Sequence, residues 1–375
     1  MTIADARRES LSWSGLRSAA GVLCFVVVPL VVTALVALVA ARHGLFAANF
    51  HTSFWTAGDR LLHGRSLYEA SASDIASGIG FPYSSLTGLI LVPFALLPVA
   101  LADAIAVIAS IIALVLSLRV LNVTDYRVYG AALLWVPVIS AWQLSNFTLI
   151  LGLGIALLWH HRDRPVVSGI LFAVLVSLKV IVWPLGIWLL ATRRYAALWW
   201  AIAYGLVLNL AAWAVVGFSE VSAYWQLSKA VTRVQELKSY NMVAFGQLHG
   251  MARASAYGLQ LVLATVVTVY CVALGRRHRT EASLVVSVAL CLLFAPVVHL
   301  HYLALLVIPL AIVRPRLGAV WLLPIVMFAP MALYPRFDFQ IVLATAVAVV
   351  AGAIRQSPRS PVSTTNEIGA VAVES

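Results

Sequence analysis

Charge is what this sequence has least of. Only 10% of its residues are Asp, Glu, Lys or Arg, while 62% are hydrophobic and the mean hydropathy is +0.97. A water-soluble domain carries about 25% charged residues, so the scarcity excludes a soluble globular protein. Cysteine is scarce too. Cys24, Cys271 and Cys291 all lie inside apolar runs, which excludes a disulfide framework or a cysteine-based metal centre and leaves them as small core residues. There is no Walker sequence, no G-x-G-x-x-G in a strand–helix setting and no H-E-x-x-H. A soluble nucleotide-binding domain is therefore unsupported, and an energy-rich substrate would have to arrive through the membrane. No polar block is large enough to fold separately in water. The reading is one transmembrane domain over 1–355, followed by a Ser/Pro/Thr-rich, disordered cytoplasmic tail over 356–375.

What is present is a series of apolar runs. A crossing helix needs about 20 apolar residues, fewer where it is bent or lies in a thin part of a bundle. Candidate crossings fall at 20–41, 99–119, 128–142, 147–161, 167–178, 181–192, 195–216, 256–275, 281–296, 299–313, 317–334 and 339–355. The first is too long for a signal-peptide core and has no small-x-small cleavage site, so it reads as a retained helix. The expected fold is an all-α polytopic membrane protein with about 12 transmembrane helices and ordered outer-face loops.

Net charge is +11. In a soluble protein that would suggest nucleic acid, but here the basic residues form short clusters between apolar runs, and no nucleic-acid partner is expected. The clusters are Arg7/Arg8/Arg17, Arg119 with Arg127, "HHRDRP" at 160–165, "TRR" at 192–194, "RRHR" at 276–279 and "RPR" at 314–316. With twelve crossings all of them fall on one side, which the positive-inside rule makes the cytoplasm, with both termini inside. That division requires 84–98 to be re-entrant or to lie along the outer surface. The outer side then receives a first loop, 42–83, and a long loop, 217–255. It also receives the "QLSN" of 143–146, the "VVHLHY" of 297–302 and the "YPRFDF" of 334–339.

The first outer loop contains "NFHTSFWTAGDRLLHGRSLY", residues 49–68, the densest mixture of charge and aromatic rings in the chain. A solvated connection between helices would carry charges anyway. Interleaving with Phe54, Trp55, Tyr68 and Phe81 suits a partly buried interfacial cleft better. There Arg60 and Arg65 can meet an anionic group, and Asp59, Glu69 or Asp74 can accept a proton. Lys179, in "VLVSLKVIVWPLG", has no other charged residue within eight positions on either side, and Ser177 is the one polar residue among them. Such a costly placement points to function, the alternative being a lysine that snorkels to the interface. His299 and His301 in "APVVHLHYLAL" resemble a metal pair only weakly without carboxylates; hydrogen bonding to a phosphate is the stronger reading. Gln143 and Asn146 in "AWQLSNFTLI" are either helix–helix hydrogen-bonding amides or substrate contacts.

"FWTAGDRLLHGRSLY" followed by "FPYSSLTGLILVPFALLP" resembles the first outer loop of family 87 glycosyltransferases, membrane enzymes with the C-type glycosyltransferase fold. The likeness continues through the amide pair, a small-residue helix and Lys179 to "APVVHLHYLALLVIPLA", covering most of residues 45–313. It implies inverting transfer of a hexose, usually mannose, from a polyprenyl-phosphate donor to a lipid-linked or cell-envelope glycan acceptor, on the extracytoplasmic side of the plasma membrane. It implies a loop carboxylate as general base, cationic groups on the leaving phosphate, and no cofactor. On that resemblance Lys179, His301 and Arg60 receive the donor phosphate, while Trp55, Tyr68, Tyr83, Gln143, Asn146 and His299 surround the substrates. The chain departs from the family pattern where the base is expected, because Asn49 precedes Phe50 in place of an Asp. Asp59 is then the expected base, as the nearest carboxylate. Tyr83 lacks its usual following Pro, Tyr302 replaces the second late His, and His299 stands where Trp is common. Two other classes stay open: a relative without activity that binds polyprenyl lipid or scaffolds envelope enzymes, and a secondary transporter. A transporter would show inverted repeats with matching broken helices, and no such symmetry is visible.

Overall fold

Apolar side chains cover much of the outside of this molecule. In a computed structural model describing residues 19–77, 79–328 and 335–356, Trp199, Val207 and Val215 on one helix are 71%, 64% and 71% exposed. Water would penalise such a surface at roughly 25 cal/mol per Å², whereas lipid tails accept it. Every described element is a helix, a turn or irregular chain; none is a strand. The protein is a multi-pass membrane protein.

Five helices are long and apolar enough to cross a bilayer: Ala19–Arg42, Val99–Val120, Tyr195–Val216, Arg253–Arg276 and Asp338–Arg355. They coincide with five of the expected crossings. The runs at 128–142 and 147–161 are interrupted: Val136–Gln143 and Thr148–His160 meet at a 113° bend and count as at most one further span. The bend falls on the amide pair. Ser145 takes a positive φ of 51° there, and Asn146 Oδ1 accepts the Thr148 N–H at 2.9 Å, starting the second helix. Pro165–Leu178 and Val180–Ala191 are short apolar helices broken at Lys179, whose extended backbone (φ −153°, ψ 111°) ends the first. Thr280–Leu293, Leu300–Val313 and Ala319–Phe328 are also short. Length alone thus supports five to six spans, fewer than the twelve expected from apolar runs. The Arg7/Arg8/Arg17 cluster, most of the 356–375 tail and the start of "YPRFDF" lie outside the described residues.

The helix Ser85–Ala95 has eleven residues, about 16 Å of helix against a hydrocarbon core of about 30 Å, so it does not span. Ser84 caps it by accepting the Thr87 N–H, and the Ser84 hydroxyl also donates to the Ser177 carbonyl. It packs against Thr56–Leu62, and Gly58 permits the approach: a Cβ there would sit 2.6 Å from the Leu91 carbonyl oxygen. Gly169 allows similar contact between Pro165–Leu178 and Tyr195–Val216, where a Cβ would lie 2.7 Å from the Ala197 carbonyl oxygen. Small residues at helix contacts are the usual means of close packing in membranes.

Candidate functional site

The opening motif winds as a π-helical turn over Phe50–Trp55 and continues as Thr56–Leu62. Single π turns are rare and recur at functional sites. The start of this turn is tied to the bend between the two half-helices. Ala47 N–H donates to the Gln143 carbonyl (2.8 Å), Phe50 N–H donates to that of Leu144 (3.2 Å), and the Gln143 side chain donates back to the Leu45 carbonyl (3.3 Å). With the turn so fixed, Asn49, Ser53 and Phe54 face one cavity.

That cavity has a volume of about 390 Å³, within the range of small-ligand sites. It is lined as well by His299, Leu300, His301 and Tyr302, by Pro82 and Tyr83, and by Gln235 and Tyr240. The histidine wall is held by the long 217–255 loop. Ser239 Oγ accepts the Val298 N–H at 2.8 Å, Tyr240 N–H donates to the Val298 carbonyl at 2.7 Å, and Asn241 Nδ2 donates to the Pro296 carbonyl at 2.5 Å. The His299 and His301 rings stack with centroids 5.3 Å apart, and the His301 ring meets Tyr302 edge-on at 4.7 Å.

Lys179 stands behind this wall. Its Nζ lies 3.9 Å from the centre of the Tyr302 ring and 5.2 Å from that of Tyr83, both of which line the cavity. It is buried and has no hydrogen-bond acceptor among the described residues. Two aromatic faces contribute cation–π attraction of about 1 kcal/mol each, far below the several kcal/mol that desolvating an ammonium costs.

The structure therefore brings Asn49, Tyr83, His299 and His301 together, with Lys179 adjoining. Tyr68 is one layer back: it is buried, its OH donates to the Tyr83 carbonyl (3.1 Å), and burial pushes its phenol well above the usual range. Trp55 donates its indole N–H to the Leu97 carbonyl (3.3 Å) and so braces the motif against the following segment. Gln143 and Asn146 shape the bend and do not line the cavity; Ser140 and Leu144, from the same bend, do. Asp59 and Arg60 lie outside it. The Asp59 carboxylate accepts from Arg65 at 2.5 Å and sits 3.1 Å from His63, forming a surface ion cluster. Among the other carboxylates, Asp74 closes a capping box with Ser71, whose hydrogen bonds hold it below the usual range, and Glu69 is exposed. Among the described residues no Asp or Glu lines the cavity. Among the described residues no three His, Cys, Asp or Glu side chains gather as a metal-ligand set.

Ser53, Ser140, Gln235 and Tyr240 are cavity residues that the sequence reading passed over. Ser53 alone had a local signal, four residues from Asn49 within the motif.

The model of glycosyltransferase family 87 matches residues 81–300. The chain belongs to glycosyltransferase family 87. No curated protein and no solved structure matches it. The family match spans Tyr83, the bend at 143–146, Lys179, the 217–255 loop and His299, and it ends before the cavity residues His301 and Tyr302. Asn49, Ser53 and Phe54 precede the matched region.

Proposed function

We propose that this family 87 protein transfers a hexose, mannose by the resemblance, from a polyprenyl-phosphate donor to a hydroxyl of a lipid-linked or envelope glycan acceptor. The reaction is a single displacement with inversion at the extracytoplasmic face of the plasma membrane. One observation carries the reading: a buried Lys179 without a hydrogen-bond acceptor among the described residues, beside a cavity lined by two histidines and three tyrosines. A charge-assisted bond to phosphate is about twice as strong as a neutral one, and the developing negative charge on a departing phosphate is what such a cation stabilises. His301 stands beside Tyr302 as a second donor to the same oxygens.

Room for the donor's lipid adds support. An apolar groove of about 450 Å³ runs between Pro165–Leu178 and Tyr195–Val216, lined by Phe172, Val176, Ser177, Trp183, Leu206 and Trp213 among others. Ser177, on its wall, is two residues from Lys179, and the Ser84 hydroxyl bonds its carbonyl from the far side. Ser177 thus connects the groove wall to the segment that carries Lys179. The positive-inside rule applied to the basic clusters favours both termini in the cytoplasm, with 42–83 and 217–255 outside, in a C-type bundle of about twelve crossings where short apolar helices cross in pairs.

The test is direct. Purified protein is incubated with polyprenyl-phosphate mannose and native membrane lipids, and the lipids are analysed by mass spectrometry. A hexose-sized mass gain on one lipid class is expected. Donor binding without any product would instead favour a lipid-binding relative that has lost activity.

A further inference from the structure

We infer that His299 is the proton acceptor of this chain's glycosyl transfer, in place of the carboxylate that Asn49 cannot supply. The inference rests on the transfer reaction proposed above. Transfer of a sugar to a hydroxyl releases a proton, and a positioned side chain that takes it contributes typically 10²–10⁴-fold. The acceptor must therefore border the space where the hydroxyl sits.

The titratable residues that border the cavity are Tyr83, Tyr240, His299, His301 and Tyr302, and none is a carboxylate. A phenol is protonated at neutral pH and serves as a donor, so only the two imidazoles can accept. Asp338 lies near Tyr240 and keeps one buried oxygen without a hydrogen-bond partner among the described residues, but it does not line the cavity. Four other carboxylates have partners of their own. Asp59 is bound to Arg65 and His63, Asp103 faces His51 at 3.4 Å, Glu220 accepts from Ser66 at 2.6 Å, and Glu236 is clamped by Arg253.

The two histidines are not equivalent. His301 is buried, and its ring is nearer that of Tyr302, on which Lys179 rests (4.7 Å against 5.5 Å for His299). His301 thus belongs to the phosphate end. His299 is half-buried, opens on the cavity, and is held in extended backbone by the bonds from Ser239 and Tyr240 to Val298. Asn49 lines the same cavity, and no protein group in the described residues engages its side-chain amide, which is free to orient the acceptor hydroxyl.

The step balances. The acceptor oxygen bonds to the anomeric carbon while its proton passes to the unprotonated ring nitrogen of His299. The bond from the anomeric carbon to the phosphate oxygen breaks, and its electron pair leaves with the phosphate beside Lys179. The imidazolium then releases its proton to water.

The experiment uses the full chain with polyprenyl-phosphate mannose and native membrane lipids, measuring transfer and, separately, binding of polyprenyl phosphate. His299→Gln should lower transfer by roughly 10²–10⁴-fold and leave polyprenyl-phosphate binding unchanged. Adding Asn49→Asp to His299→Gln should restore transfer, because a carboxylate then lines the cavity. Retained transfer in His299→Gln, or a loss that Asn49→Asp does not repair, overturns the assignment to His299 alone. An Asp59→Asn loss alongside a fully active His299→Gln would give the role to Asp59. A natural chain without transfer, made active by Asn49→Asp, would overturn both the assignment and the proposal that the chain is an active transferase.

Discussion

Among the buried ionisable residues are Asp103, Lys179 and Glu236, and the last two are treated in opposite ways. Glu236, in the long loop, is enclosed by partners: Arg253 donates to both carboxylate oxygens (2.8 and 2.6 Å), and Gln247 and Tyr257 add bonds of 2.8 and 3.0 Å. Lys179 has two aromatic faces and no acceptor. A fully bonded buried charge is a structural fastener, and losing one partner is what harms it. An unbonded one is retained at a cost to stability and marks a place where a ligand completes the set. The two are linked, since the loop that Glu236 fastens goes on to Ser239 and Asn241, which hold the histidine wall.

The largest expected effect lies on the unbonded side. Lys179→Ala should reduce turnover by about a hundredfold or more, because one preorganised group aimed at developing charge is worth roughly 2.7–4 kcal/mol. Its thermal stability should hold or rise, since a desolvated charge is removed. A fall in Tm with turnover unchanged would reverse the comparison and make Lys179 the fastener.

Glu236→Ala should do the opposite, costing about 2–3 kcal/mol of stability, at the low end because Arg253 is half-exposed and keeps part of its hydration. The Arg253 guanidinium, first, and then the Gln247 and Tyr257 bonds hold the Glu236 carboxyl below its ordinary value near 4.5. The sign follows: this stabilisation is complete above about pH 4.5 and is lost as pH falls further, through the lowered folded-state value. A melting series in detergent should show an acid limb there that Glu236→Gln flattens; an unchanged limb would remove Glu236 from the account.

A smaller effect is expected at the helix contact that supports the first loop. Gly58→Ala forces a Cβ onto the Leu91 carbonyl and should cost about 1–3 kcal/mol. If Tm does not move, the two helices separate more easily than their packing suggests.

Much of this was legible in the sequence, for physical reasons that also mark its limit. Continuous apolar runs such as 195–216 declare long helices, because a crossing needs an unbroken run. Lys179 and the 143–146 amides declared breaks, since groups that are costly in lipid tend to sit where a helix ends. Asn49, Tyr83, His299 and His301 were marked by motif. Gln235 and Tyr240 were not, because their loop folds over the cavity through bonds between residues nearly 60 apart, such as Ser239 to Val298, which leave no periodic trace. Asp59 is the carboxylate nearest to Asn49 along the chain. The π turn instead directs 49, 53 and 54 at the cavity, while Asp59 pairs with Arg65 and His63 at the surface.

The central claim is that the cavity in front of Lys179 receives the donor's phosphate. Binding of a polyprenyl phosphate without sugar, measured on the wild-type chain and on Lys179→Met, tests it most directly, since Met keeps the stem and removes only the charge. The claim predicts at least about a tenfold loss of affinity, roughly 1.4 kcal/mol, in the variant, with no fall in Tm. Equal affinity for the two proteins would contradict it.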